Sequence, residues 1–283
     1  MRWGNLKVDY HVHTAYSDDS VYPMEAVVSD AIARGFDEIC FTDHVDYGVK
    51  KDWSEGNIEY RNGEPVANVD YPAYMAEASR LADRYSPQIA LKLGLEFGVQ
   101  SHTIPQYREL FRRYPFDFIL LSVHQVGDQE FWTGDFQRGK SQDEYNREYY
   151  EEMLRIVQNF KDYSVLAHMD LIARYDPEGP YPFEKVKPLV EPILKTVIAD
   201  GKGLEVNTSW KRYGLPDLTP SKDILKLYRQ LGGQIITIGS DSHKPEHLGD
   251  QMEETKRQLR ELGFTEFCTY ERMKPIRHLL TID

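Results

Sequence analysis

Seven times along the chain, a short apolar run rich in Val, Ile, Leu or Phe is followed by a longer stretch whose apolar residues recur at helical spacing. Few architectures accommodate that repeat. The first unit predicts a strand from Leu6 to His11 and a helix from Pro23 to Gly35, where Val27, Val28, Ala31 and Ile32 share a face and a glycine ends the element. Further strands are predicted from Phe36 to Thr42, Ile89 to Leu95, Phe118 to Val123, Tyr163 to Ala167, Gly203 to Val206 and Gln234 to Ile238. The helices between and after them run from Ala73 to Tyr85, Thr103 to Arg113, Gln142 to Phe160, Lys185 to Asp200, Ser221 to Leu231 and Gln251 to Leu262. A last β-like piece spans Glu266 to Tyr270. No linker rich in Pro, Gly or Ser divides the chain, so the alternation predicts one parallel α/β barrel rather than two domains, an open doubly wound sheet giving the same local signals. One long interruption, Val45 to Tyr71, carries Tyr47, Trp53 and Tyr60 and reads as a lid, binding loop or insertion.

The composition excludes several classes. Hydrophobic residues at 41%, charged residues at 28% and a mean hydropathy of −0.58 are those of a soluble globular chain, not a disordered or membrane-spanning one. No stretch approaches the ~18 apolar residues of a spanning helix, and the opening Met1-Arg2-Trp3-Gly4 has no apolar run of the signal-peptide kind. The expected location is the cytoplasm, with no membrane partner. The two cysteines, Cys40 and Cys268, are too few for a disulfide framework and read as buried free thiols. A net charge of −12 repels nucleic acid, so no nucleic-acid partner is expected, and an anionic substrate would need metals or clustered arginines.

Chemistry-bearing residues gather where these strands end. The first is followed by His11, His13 and Asp18, the second by Asp43 and His44, the third by Glu96 and the fourth by His124. His168, Asn207, and Asp241 with His243 follow the fifth, sixth and seventh. In a barrel, carboxyl ends of strands build one mouth, so these residues converge. His11 and His13, two apart on extended backbone, leave the same face. Each histidine alone reads as readily as a packed, hydrogen-bonded side chain, but independent packing does not place six of nine histidines and three carboxylates after β runs. His11, His13, Asp18, His44, Glu96, His124, His168, Asp241 and His243 are too many ligands for one tetrahedral ion and suit two or three. Imidazole and carboxylate without thiolate point to Zn, Mn or Fe.

The motifs resemble those of the PHP superfamily, the phosphoesterases named for polymerase and histidinol phosphatase. They read DYHVHTAYSDDS from Asp9, FTDH from Phe41, LGLEFG around Glu96, SVH from Ser122, AHMDL around His168 and SDSH from Ser240. The resemblance covers essentially the whole chain, 1–283, and implies one phosphoesterase domain with a distorted seven-stranded (β/α) TIM-like barrel and usually three metals. It implies His11, His13, Glu96 and Asp241 around one ion, Glu96, His124 and His168 around a second, and Asp18, His44 and His243 around a third. Of the neighbours Asp18 and Asp19, Asp18 is the expected ligand, on its distance from His13. AHMDLIARY, EVNTSWKRYG, GSDSHKPEHLGD and ERMKPIRHLL are most similar to the histidinol-phosphate phosphatase branch, with Trp210-Lys211 departing from its usual small-then-aliphatic pair.

That branch implies hydrolysis of a small phosphate monoester by metal-activated hydroxide, with Asp241, His243 and Glu96 as catalytic groups. Three divalent ions against three carboxylates leave about +3 locally, enough to draw in a phosphate against the global charge. Arg174, six residues past His168, and Arg212, five past Asn207, are expected to bind the phosphate oxygens. Asp43 is expected to orient a ligand histidine. Tyr47, Trp53, Asp128 and Trp132 are candidates for the pocket of the alcohol half, and His102, His247 and His278 read as ordinary histidines. The alternatives are a PHP phosphoesterase for phosphotyrosine or nucleotides, and an amidohydrolase, whose carbamylated lysine would stand where this chain has His124. A degenerate, non-enzymatic barrel predicts lost ligands, and none is missing.

Overall fold

Side-chain caps start three of the helices where the periodicity puts them. Ser141 and Glu144 form a reciprocal capping box at the head of one, and the side chains of Asp70 and Ser221 accept main-chain N–H groups at the heads of two others. The computed structural model describes residues 6–61 and 63–282, so the opening segment Met1-Arg2-Trp3-Gly4 lies outside the described residues. The strands are β1 (Val8–Val12), β2 (Glu38–Phe41), β3 (Ala90–Gly98), β4 (Phe118–Ser122), β5 (Val165–Leu166), β6 (Gly203–Asn207) and β7 (Ile236–Gly239). They pair in chain order, every pair parallel. Helices α1 (Met24–Ala33), α2 (Tyr71–Tyr85), α3 (Ile104–Arg113), α4 (Gln142–Asn159), α5 (Phe183–Ala199), α6 (Lys222–Gln230) and α7 (Met252–Glu261) follow the strands in turn. Every residue of β1, β4, β6 and β7 is buried, as expected of parallel strands covered on both faces.

The sheet is nearly closed into a barrel. Past the end of β7 the chain meets β1: His13 N donates to Ser242 O at 2.8 Å, and Ser242 N to His11 O at 3.1 Å. Buried Asp9 reinforces this seam by accepting from Ser240 N (2.8 Å), Ser240 Oγ (2.5 Å) and Gly249 N (3.0 Å). The expected distorted barrel is the observed fold, and no described helix is long and apolar enough to cross a membrane. Cys40 and Cys268 are buried and free.

Two features go beyond the periodicity. The last β-like piece is one arm of an antiparallel hairpin, β8 (Glu266–Glu271) and β9 (Lys274–Leu279), which packs under the amino ends of the barrel through Tyr270 N donating to Tyr10 Oη at 2.8 Å. Its second arm, KPIRHL, is mostly exposed and carries no apolar alternation to announce it. The long interruption contains a 3₁₀ turn (Trp53–Glu55) and a short hairpin (Glu59–Arg61 with Glu64–Val66).

β3 is pinched between its neighbours at Gly94, where a Cβ would lie 2.6 Å from Phe118 O and 2.9 Å from Phe41 O. Gly94→Ala is expected to destabilise the barrel by about 1–3 kcal/mol, since neither backbone can retreat. Urea denaturation with an unchanged midpoint would count against this reading of β3.

Candidate metal centre and active site

β2 breaks its pairing after Phe41, and the chain then re-pairs with β3 through His44 and Val45, in a register that sets His44 directly beside Glu96. Glu96 itself is fully buried. Its Oε1 faces His168 Nε2 at 2.8 Å and His124 Nε2 at 3.1 Å. Its Oε2 faces His11 Nε2 (3.1 Å), His44 Nδ1 (3.1 Å) and His13 Nε2 (3.4 Å). Asp241 closes the other side, with Oδ1 3.7 Å from His11 Nε2, 3.6 Å from His13 Nε2 and 3.6 Å from His243 Nδ1. The ring of His13 stacks between those of His44 and His243, at centroid distances of 4.2 and 4.0 Å.

The acid that meets the outer histidines is not the expected one. Asp19, not Asp18, reaches the histidines: its Oδ2 lies 3.4 Å from His44 Nε2 and 3.2 Å from His243 Nε2. Asp18 is turned onto Lys50 Nζ at 2.6 Å, an ion pair that removes it from the cluster. Sequence distance from His13 cannot resolve two adjacent carboxylates on a turn, because that turn decides which one faces inward. Asp43 also acts less directly than expected. It accepts from Thr14 N and from Ser17 Oγ, both at 2.7 Å, and Ser17 Oγ in turn lies 3.2 Å from His13 Nδ1.

The rings are held from behind by carboxylates that carried no signal of their own. Glu205, on β6, meets His11 Nδ1 at 2.5 Å and accepts from His168 N at 3.0 Å. Asp46 meets His124 Nδ1 at 2.8 Å and Lys50 Nζ at 2.9 Å. Such partners fix the tautomer and direction of a ligand ring. Gly239 permits the His11 and Glu205 contact, since a Cβ there would collide with His11 and lie 2.7 Å from Glu205 Oε1. Asp241 and His168 sit in left-handed backbone, φ 56° and 22°, a conformation that costs free energy and persists where surroundings enforce it. Arg212 is part of that enforcement, its Nη2 donating to Ser240 O at 3.0 Å and Asp241 O at 2.9 Å.

Burial pushes the Glu96 carboxyl up, but His11, His124 and His44 outweigh it and hold it well below the usual range. For Asp241, burial is likewise overcome, by His11, Arg174 and His243. Burial together with His243 and His44 holds His13 neutral, well below the usual imidazole value. His13 Nε2 and His44 Nδ1 are buried with no hydrogen-bond partner among the described residues. Unpartnered imidazole nitrogens facing carboxylates are a donor set that divalent cations fit. Groups able to hold an ion include His11, His13 and Asp241; His11, Glu96 and His168; and His13, His44 and His243.

A cavity of about 600 Å³ opens over this cluster. Arg174 lines it, donating to Ser209 Oγ at 2.9 Å, 3.3 Å from Asp241 Oδ2 and stacked on Tyr213 at 3.8 Å. Arg212 stands behind it rather than in its wall, its Nε without a hydrogen-bond partner among the described residues and its Nη1 4.0 Å from Asp250 Oδ2. Of the candidates for the alcohol pocket, Trp132 lines the cavity. Asp128 is instead bonded to Gln100 and His102, Tyr47 to Asp52, and Trp53 is exposed on its loop. His247 lines the mouth as well, whereas His278 pairs with Thr269 under the barrel. A second cavity of about 540 Å³, at the amino ends of the strands beside Lys226, Arg229 and Arg277, holds none of the cluster.

The PHP domain profile matches residues 9–209. The chain belongs to the PHP domain family. Within that family it is 33% identical over 275 residues to the histidinol-phosphatase of Lactococcus lactis, spanning 95% of this chain and 96% of the relative. It is 28% identical over 258 residues to the probable histidinol-phosphatase of Thermotoga maritima, covering 91% and 93%. The crystal structure of the Lactococcus lactis histidinol phosphate phosphatase, complexed with Zn, L-histidinol and phosphate, is similar with a TM-score of 0.81. The sequence identity is 31%, with 95% of this chain and 98% of that one covered.

Asp19→Asn is expected to weaken divalent-metal binding at least ~10-fold by neutralising the carboxylate shared by His44 and His243, while Asp18→Asn loosens Lys50 and leaves metal content at the wild-type level. Metal titration of the two variants checks this. The reverse order would restore Asp18 as the ligand.

Proposed function

We propose that this chain, over residues 1–283 as one catalytic domain, is a metal-dependent phosphatase hydrolysing histidinol phosphate to histidinol and phosphate. The observation that carries the reading is a buried Glu96 ringed by five histidines beneath a cavity walled by Arg174. Similarity across nearly the whole chain to a phosphatase with zinc, histidinol and phosphate bound supports it. His11, His13, Glu96 and Asp241 would hold one divalent ion, Glu96, His124 and His168 a second, and Asp19, His44 and His243 a third. The complement is two to three ions of Zn, Mn or Fe. When bound, such ions neutralise phosphate charge and acidify water for in-line attack on phosphorus.

The chain's own residues do the rest. Arg174 offers a planar fork to the phosphate oxygens, its position fixed by Asp241 and Tyr213. Arg212 is the proposed second phosphate arginine: it braces the Asp241 backbone behind the cavity, and its Nε has no hydrogen-bond partner among the described residues. His243 lines both the cluster and the cavity, which places it to deliver the proton that the departing alkoxide needs, and the ionised Asp241 carboxylate, 3.6 Å from its Nδ1, favours the protonated ring.

Histidinol phosphate is expected to exceed p-nitrophenyl phosphate, tyrosine phosphate and nucleoside monophosphates in kcat/KM by ~100-fold or more, because a site shaped for polar groups rejects esters lacking them. Comparable values across that panel would overturn the assignment. Arg174→Ala and Arg212→Ala are each expected to lose about 1.5–3 kcal/mol, roughly 10- to 150-fold in kcat/KM, with metal content retained and Arg212→Lys rescuing only in part. Two fully active variants would leave the phosphate to the metals alone.

A further inference from the structure

Among the described residues, six acidic side chains line the cavity over the cluster, and five are committed. Asp18 and Asp46 pair with Lys50, Asp19 with His44 and His243, and Glu96 and Asp241 with the histidines of the centre. The sixth, Glu130, has an ion-pair neighbour only in Arg61 Nη1, at 4.0 Å, among the described residues. No hydrogen bond reaches its carboxylate from any described residue. Arg61 is 62% exposed on the hairpin of the long loop, whereas the Glu130 side chain is 13% exposed. A carboxylate this withdrawn and this poorly paired loses hydration without gaining a partner. Burial, with Asp46 and Asp18 nearby, raises its carboxyl above the usual range.

Its position is set by the fold. Gln129–Glu130 pairs antiparallel with Gln125–Val126, and Glu130 lies opposite Gln125, the residue after His124. The acid therefore sits at the rim next to a histidine of the centre, with Pro65, Val66 and Trp132 in the same wall. Histidinol phosphate carries its ammonium group two carbons from the ester oxygen, so a phosphate seated at the centre brings that cation to the adjoining wall. We propose that Glu130 is the specificity residue for the alcohol half of the substrate, binding an ammonium group two carbons from the ester oxygen and displacing Arg61 from its loose contact. This rests on the substrate reading above but concerns the amine alone.

The test compares esters that differ only in that amine: histidinol phosphate with its deamino analogue, and 2-aminoethyl phosphate with ethyl phosphate. The wild-type enzyme is expected to prefer the amine-bearing member of each pair in kcat/KM. In Glu130→Gln that preference falls by roughly 10- to 150-fold, chiefly through KM, and Glu130→Asp recovers part of it. A preference unchanged in Glu130→Gln, an equal loss for both members of a pair, or no preference in the wild type would each overturn the proposal. An ammonium preference erased by Glu130→Gln in an enzyme that does not favour histidinol phosphate would uphold Glu130 and overturn the substrate assignment instead.

Discussion

Glu96 is an anionic side chain at full burial, and the upper half of the barrel is organised around making that tolerable. Each oxygen has its own set of imidazoles, two on one side and three on the other, drawn from β1, the segment after β2, the end of β4 and the turn after β5. A lone carboxylate at this depth would cost several kcal/mol, and positive or hydrogen-bond-donating neighbours offset that cost only if their geometry is fixed. The fixing is done by a further ring of groups, Glu205 behind His11, Asp46 behind His124 and Ser17 behind His13. The polar layer is thus one connected network above an apolar floor, not a set of separate ligands attached to a finished scaffold.

How far the sequence discloses this follows from what kind of signal each residue leaves. Strands buried on both faces and amphipathic helices with clear caps leave periodic signals, which is why the predicted boundaries fall within a few residues of those observed. The spacing of His11 and His13, and the recurrence of His, Asp and Glu just past β runs, are also local patterns, and those side chains do converge. Glu205 and Asp46 leave none. A single acid in GLEVN or HVDYG reads as ordinary until the fold sets it against a ring from a distant segment. The choice between Asp18 and Asp19 fails for a related reason: adjacent residues on a turn point in different directions, and Lys50, which captures Asp18, lies in the long loop whose path has no periodic signature. Arg212 shows a third limit, since being five residues past a strand end does not say that a long side chain also braces the backbone behind the cavity.

The mouth itself has two unlike sides. One is built from the turns after β5, β6 and β7 and presents Arg174, Tyr175 and Tyr213. The other is built from the hairpin of the long loop and the short strand after β4, and presents Arg61, Pro65, Val66, Glu130 and Trp132. The first offers a guanidinium flanked by phenols and the second a poorly paired carboxylate beside an indole, so the two walls differ in charge as well as in shape.

The seam between β1 and the segment after β7 joins the first strand of the chain to a segment some 230 residues further on. The same four residues, Ser240 to His243, both lace the barrel shut and supply Asp241 and His243 to the centre. During synthesis, therefore, the histidines of the amino-terminal motif have no complete partner set until some 230 further residues have been made. A chain that stops short of Ser240 has neither the seam nor Asp241, so the first strand lacks its last neighbour and His11 and His13 lack their second acid at one and the same point.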